Sequence, residues 1–396
     1  MQQLHQPLFC LLLLFTGSLQ AQESAVKDMQ RQFILAADHS TIELPEGRFI
    51  LPASLWLEGK NHVIIKGKGM DKTILSFAGQ VAGAEGIKII NCTRITLQDL
   101  TVQDTKGDAI KTQDVRGMVF RNVKAEWTRG AHRTNGGYGI YPVQCSNILI
   151  EGCEARGASD AGIYVGQSQH IIVRNCRAYE NVAGIEIENS MYADVYDNEV
   201  TNNTGGILVF DLPDLPVKKG GSVRVFRNYI HHNNHKNFAP KGNIVAKVPP
   251  GSGIMLLAAT RVDVFENKII NNRTTGTALV SYYITENPIK DSSYDPYPDS
   301  IAIFSNEYSR EPVRATGQGR MGKLFRLKLR FGTEVPHILF DGITNGPKPV
   351  HLCIHGNKEQ TFANIDAGNR FLLISRDARL HTCSLPPVPP VLLPVQ

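Results

Sequence analysis

Two families of short segments recur along this chain at a shared period. Leu97-Gln-Asp99, Phe120-Arg-Asn122, Ile150-Glu-Gly152, Val173-Arg-Asn175, Tyr196-Asp-Asn198, Phe226-Arg-Asn228, Phe265-Glu-Asn267 and Phe304-Ser-Asn306 follow at steps of 23, 30, 23, 23, 30, 39 and 39 residues. Gly86-Ile87, Ala109-Ile110, Gly139-Ile140, Gly162-Ile163, Gly184-Ile185, Gly206-Ile207 and Gly253-Ile254 follow at 23, 30, 23, 22, 22 and 47. A basic period of 22–23 residues, lengthened only where loops intervene, describes a coil of fixed circumference with insertions. The step of 47 is two periods, or one coil carrying a long loop.

Each period holds short runs of alternating β-branched residues bounded by Gly, Asn or Asp, as in Ile148-Leu-Ile150, Ile163-Tyr-Val165, Ile171-Ile-Val173 and Ile185-Glu-Ile187. Alternation sends one side chain inward and the next outward. The runs are too short for helices, and the period leaves no room for a crossover helix. The expected fold is therefore all-β: a single-stranded parallel β-helix whose coils stack about 4.8 Å apart. Asparagines recurring at one corner would form a ladder of amide hydrogen bonds.

Composition removes several classes. The chain is 42% hydrophobic and only 20% charged, which excludes general disorder. No apolar run reaches the roughly 18 residues of a membrane span. The net charge of +5 is spread out, with no basic block longer than Val217-Lys-Lys-Gly220, so no nucleic-acid partner is expected. Leu8–Phe15 is a short apolar run followed by Leu19-Gln-Ala21, and residues 1–21 read as a signal peptide cleaved after Ala21. Export is the consequence: periplasm, outer surface or medium. Among the seven cysteines there is no Cys-x-x-Cys pair and no zinc spacing. In an exported chain, Cys353 and Cys383 are expected to pair, whereas Cys153 and Cys176 are expected to stack as buried thiols.

The segments Ile42-Glu-Leu-Pro-Glu-Gly-Arg-Phe-Ile50, Val63-Ile-Ile-Lys-Gly-Lys-Gly69 and Thr73-Ile-Leu75 resemble the first coils of right-handed parallel β-helix proteins, the architecture of pectate lyases and alginate epimerases. Tyr138-Gly-Ile-Tyr-Pro-Val-Gln-Cys145, Ala158-Ser-Asp-Ala-Gly-Ile-Tyr-Val-Gly-Gln167 and Ala183-Gly-Ile-Glu-Ile-Glu-Asn189 are similar to a secreted bacterial β-helix repeat family without a settled activity. The resemblance implies a right-handed coil and an exported, carbohydrate-active protein. The Asp-Pro-His-Asp motif of alginate epimerases and the His-Gly motif of polygalacturonases are missing, so no catalytic set carries over.

The expected organisation is a signal peptide (1–21), an N-terminal cap (22–40), a β-helix (41–345) and a C-terminal tail (346–396) that is Pro-rich at its end. Val26, Met29, Phe33 and Ala37 stand at helical spacing and suit a capping helix over the first coil, whose sheet edge would otherwise be open. Insertions at 211–221, 231–253 and 282–299 leave the coil and could wall a groove.

With Ile of each Gly-Ile pair inward, the next residue faces out. That outward column reads Lys88, Lys111, Tyr141, Tyr164, Glu186, Leu208 and Met255; two positions on lie Gln113 and Glu188. Asp108 and Asp160 precede their strands, and Trp127-Thr-Arg-Gly-Ala-His-Arg133 forms a loop that could fold over the face. These are parts that uronate chemistry requires: a cation for the substrate carboxylate, a base for the C5 proton, and an acid opposite. Catalytic candidates are Lys111, Tyr141, Tyr164, His132 and Arg133, with the tyrosines or His132 as base or acid if a neighbouring cation lowers their pKa. Asp108, Gln113, Trp127, Arg129, Asp160, Glu186 and Glu188 are substrate-binding candidates, Trp127 as a flat sugar platform. The expected partner is an extended acidic polysaccharide, altered by β-elimination or C5 epimerisation. A glycan- or partner-binding β-helix without catalysis is the competing class, and glycoside hydrolysis by paired carboxylates is the third. No metal or cofactor is required; calcium on Glu186 and Glu188, with Asp211 and Asp214, is the one ion weighed. His231-His-Asn-Asn-His235 reads as a turn rather than a metal site.

Overall fold

A computed structural model describes residues 22–329, 333–346 and 350–394. The segment 1–21, read above as a signal peptide, lies outside the described residues. Helix 22–35 opens the described chain and turns Val26, Met29 and Phe33 into the same core that Leu55 and Leu57 enter from the first coil. This apolar stripe covers the end of the stack, where unpaired strand edges would otherwise meet water.

From Thr41 onward the chain coils, with strands pairing in parallel from one coil to the next. One coil illustrates the unit: strands Tyr138–Val143, Ser146–Glu151 and Glu154–Arg156 form three faces. Strands of the first face make an eleven-stranded sheet, and those of the other two merge into a nineteen-stranded one among the described residues. The Gly-Ile column is in register throughout: Ile87, Ile110, Ile140, Ile163, Ile185, Ile207 and Ile254 are paired in succession and fully buried. Each buried side chain of this kind contributes about 1.5–3 kcal/mol relative to exposure. Ile207 pairs directly with Ile254, so the step of 47 is one coil with a long loop. Gly206 permits the close stacking: a Cβ there would lie 2.4 Å from the Gly253 carbonyl oxygen.

The asparagine column divides in two. Val173 pairs with Val195 and Arg174 with Tyr196, so Asn175 aligns with Asp197, not with Asn198. Asp99, Asn122, Gly152, Asn175 and Asp197 are corner residues with positive φ. The true ladder lies one residue later, where Asn198, Asn228, Asn267, Asn306 and Asn357 hand side-chain amide bonds of 2.9–3.0 Å from coil to coil. Earlier coils fill that position with Leu100, Val123, Cys153 and Cys176, buried apolar groups needing no partner; both cysteines are free thiols. A second ladder joins Asn181, Asn203, Asn233 and Asn272 at another corner with bonds of 2.9–3.1 Å.

Pairing continues to Phe362–Asn364, so the coil outlasts position 345. Cys353 and Cys383 form a disulfide. Beyond it the Pro-rich tail runs back along the outside of the larger sheet: the Val388 N–H donates to Asp263 (2.9 Å) and the Val391 N–H to Asp194 (3.1 Å). Asp194, Arg224 and Asp263 occupy three successive rungs. Three residues of polyproline helix rise about 9 Å, matching two rungs of the stack. No described helix is long and apolar enough to cross a membrane.

Candidate functional site

The outward column of the eleven-stranded sheet is the line expected, extended at its start by Trp56: Trp56, Lys88, Lys111, Tyr141, Tyr164, Glu186, Leu208 and Met255 stand on consecutive rungs. Its exposure is not uniform. Trp56 is exposed, Lys88, Lys111 and Tyr141 are half-buried, and every residue of Ala161–Gly166, Ala183–Glu188 and Gly205–Phe210 is buried. The insertions do more than wall a groove; they meet over it. Phe210, Val245, Val248, Met255, Tyr282 and Leu339 belong to a second apolar cluster between loops and sheet. Lys247 donates to the Thr285 carbonyl and to Asn287, tying one loop to the other. Lys218 pairs with Asp291 at 2.5 Å, and the Tyr294 hydroxyl donates to the Asp211 carbonyl at 2.5 Å.

At the mouth of this roof three phenol rings pack together. Tyr138 lies 4.5 Å from Tyr141 and 4.4 Å from Tyr164, with Tyr141 and Tyr164 5.0 Å apart. Tyr138 is the residue that strict alternation misses. Gly139 and Ile140 both face inward, a Cβ on Gly139 lying 3.4 Å from that of Ala125, which returns Tyr138 to the outer surface. A Tyr immediately before a Gly-Ile pair is the signal that would have found it. Lys111 Nζ stands 5.2 Å from the centre of the Tyr141 ring, a cation–π arrangement.

Carboxyl groups surround the rings. Asp108 accepts from the Tyr138 backbone N–H at 3.2 Å, and Asp160 from the Asn243 side chain at 2.7 Å. The Tyr164 hydroxyl donates to Glu188 at 2.6 Å. Both carboxyl oxygens of Glu186 are buried without a hydrogen-bond partner. Burial pushes the Asp108 carboxyl up to about 6, with the Tyr138 N–H and Lys111 opposing. It pushes Asp160 up to about 7 against the Asn243 bond, and Glu188 to about 7 against the Tyr164 bond. Glu186 is raised well above the carboxylate range by burial and then by Glu188 and Asp160.

These surroundings correct the expectation that a cation would lower a tyrosine pKa. Burial and the adjoining carboxylates raise Tyr138, Tyr141 and Tyr164 instead. The phenols are proton donors here, and the groups able to act as bases near neutrality are carboxylates.

Trp127 is not a sugar platform: it is 1% exposed, and its indole N–H donates to the Thr105 carbonyl at 2.9 Å. Its loop turns away from the tyrosines. Asn135 binds the carbonyls of Gly130 and Gly157, Arg129 donates to Asn135 at 2.6 Å, His132 pairs with Thr134, and Arg133 is exposed. Among the described residues no hydrogen bond, ion pair or ring contact joins His132, Arg133 or Arg129 to the tyrosine cluster. Gln113 stays on the face but hydrogen-bonds Gln144 at 3.2 Å. Lys111, Tyr141, Tyr164, Asp108, Asp160, Glu186 and Glu188 do come together. Calcium does not fit the arrangement. Among the described residues no three His, Cys, Asp or Glu side chains converge as ligands, Glu188 is bonded to Tyr164, and Asp214 is exposed.

A family model described as a right-handed beta helix region matches residues 61–215. The chain folds as a right-handed parallel β-helix. This β-helix superposes on the A-module of the Azotobacter vinelandii mannuronan C-5 epimerase AlgE4 with a TM-score of 0.56, at 15% identity, covering 85% of this chain and 90% of that one. PfbA, a surface adhesin of Streptococcus pneumoniae, matches with a TM-score of 0.44 and 11% identity, over 73% of this chain and 82% of the adhesin. By sequence, the pre-neck appendage protein of Bacillus phage B103 is 22% identical over 244 residues, half of this chain and 28% of that protein's length. Likeness at these identities concerns the β-helix fold.

Proposed function

We propose that this β-helix protein binds an extended acidic polysaccharide along the outer face of its eleven-stranded sheet and removes the C5 proton of a uronate unit, leading to β-elimination or C5 epimerisation. The observation that carries the reading is the placing of Lys111 over the Tyr141 ring, on the open part of the face, where its charge also acts on Asp108, three residues before it in the chain. Lys111, with Lys88 one rung away, pairs with the substrate carboxylate and makes the C5 proton more acidic. Asp108, ionised above about pH 6, accepts that proton. Tyr141, whose proton is held firmly, supplies one to the opposite face of C5 in epimerisation or to the departing O4 oxygen in elimination. The AlgE4 likeness agrees with this reading at the level of fold.

Glycoside hydrolysis is the second reading. Its support is Gly137, which sits between Asp108 and Asp160: a Cβ on it would lie 3.4 Å from Asp108 Oδ1 and 3.8 Å from the Asp160 Cβ. Two carboxyls with pKa values near 6 and 7, separated by a notch without a side chain, suit a base and acid pair. An exported location accords with the Leu8–Ala21 segment and the Cys353–Cys383 disulfide.

Incubating the purified chain with polygalacturonate, alginate and hyaluronan separates the readings. Absorbance of an unsaturated product reports elimination, exchange of C5 protons in heavy water reports epimerisation, and new reducing ends without unsaturation report hydrolysis. Loss of turnover in Lys111→Ala with the fold intact is the expected result. Binding without any of the three signals would leave a glycan-binding module.

A further inference from the structure

We infer that the groove is blind at its Tyr164 end, so that the protein engages a terminus of a polysaccharide rather than its interior. The inference rests on the proposed polysaccharide reading and adds to it the mode of attack. Along the outward column exposure falls from 45% at Trp56 to 4% at Tyr164, 1% at Glu186 and 0% at Leu208. The open stretch from Trp56 to Tyr141 spans three inter-rung steps, about 14 Å, the length of a short oligosaccharide.

The closure is built from named contacts. Asn243, in the loop after His231, reaches to the rung of Asp160 and bonds its carboxyl at 2.7 Å. Val248 of the same loop lies over the next strands, where a Cβ on Gly205 would meet its Cγ1 at 3.0 Å. Lys247 fastens this loop to Thr285 and Asn287 of the loop arriving from the opposite edge. A polymer lying along the sheet therefore meets packed side chains immediately beyond Tyr141. Its last unit stops against the tyrosines and the Asp160–Asn243 pair, next to Asp108, while the rest of the polymer leaves over Lys88 and Trp56.

A blind groove makes the two ends of an oligosaccharide unequal. The test measures binding of uronate hexamers (galacturonate, mannuronate and guluronate) to the full chain by calorimetry. Each hexamer is used with free ends, with the reducing end carrying an aromatic amine, or with the non-reducing O4 methylated. One cap, meeting the roof, is expected to weaken binding by about 100-fold, and the other, projecting past Trp56, by less than about threefold. In Asn243→Ala, with its thermal midpoint checked, the penalty for the unfavourable cap is expected to shrink by at least about threefold. Both caps tolerated equally would overturn the inference and leave the polysaccharide reading standing. No binding of any hexamer would overturn both.

Discussion

Tyr164 donates a 2.6 Å hydrogen bond to Glu188, whereas Glu186, two residues earlier on the same strand, has no partner for either carboxyl oxygen. Both carboxyls lie under the loops that roof the sheet. The bond decides which of them can ionise at moderate cost. It draws the Glu188 pKa back to about 7, while burial, and then Glu188 and Asp160, hold the Glu186 carboxyl well above the carboxylate range. An ion without a partner in such surroundings costs several kcal/mol.

This arrangement sets a pH dependence of stability. Asp160 and Glu188 have folded pKa values of about 7, against ordinary values of 3.8 and 4.5. The native state therefore holds protons that the unfolded chain has released, and stability falls as pH rises from about 4 through about 7. Asp291 and Asp377, held down to about 2, act in the opposite direction only below about pH 4. His231, His337 and His381, with lowered pKa values, oppose the trend below about 6.5. Glu186→Gln isolates the carboxyl contribution. Its thermal midpoint is expected above that of the parent at pH 8, with a smaller difference at pH 5, by calorimetric scans at both. Equal midpoints at pH 8 would show that Glu186 is not a buried acid.

Catalysis should follow Asp108. With Asp108 as base, kcat/KM rises with pH through about 6, and Asp108→Asn lowers kcat by about 100-fold or more. Tyr141→Phe keeps the ring under Lys111 but removes the proton donor, so kcat falls with KM nearly unchanged. Steady-state kinetics across pH 5–8 checks both. A tenfold larger effect of His132→Ala than of Asp108→Asn would return the base to the loop.

Two asparagines that look alike in sequence should behave differently. Asn228 carries four amide bonds in the buried ladder, and Asn228→Ala leaves several of their partners unpaired. The expected loss is about 2–4 kcal/mol, measured by urea unfolding. Asn175 is an exposed corner with φ 54°; Asn175→Ala costs about 1 kcal/mol, from the left-handed backbone.

The tail strap depends on its staple. The disulfide closes a loop of 30 residues, for which chain entropy predicts about 3.6 kcal/mol of stabilisation. In Cys383→Ala the Val388 and Val391 amides, now bonded to Asp263 and Asp194, are expected to lose protection in hydrogen exchange. Protection unchanged from the parent would mean that the Pro-rich segment binds without the staple.

The coil was legible because its signals are local. A period of 22–23 residues and the alternation within each strand place Ile110, Ile140 and Ile163 inside, and Lys111, Tyr141 and Tyr164 outside, before any contact is known. The Asn175 and Asn198 corners fell one residue out of step because both offer the same Asn after a polar residue, and only the strand register separates them. Trp127 lies just past the end of its strand, where alternation no longer determines direction, and the core received it.

What the sequence by itself determined is the sheet and the list of side chains on its outer face. Which of those side chains meet water was decided only by tertiary structure. The roof is made by aperiodic loops whose contacts join residues far apart in the chain, such as Asn243 with Asp160 and Lys247 with Asn287. No repeat encodes such pairings. Yet they exclude solvent from Tyr164, Glu186 and Glu188, and with the solvent goes the ordinary charge state of the carboxyl groups.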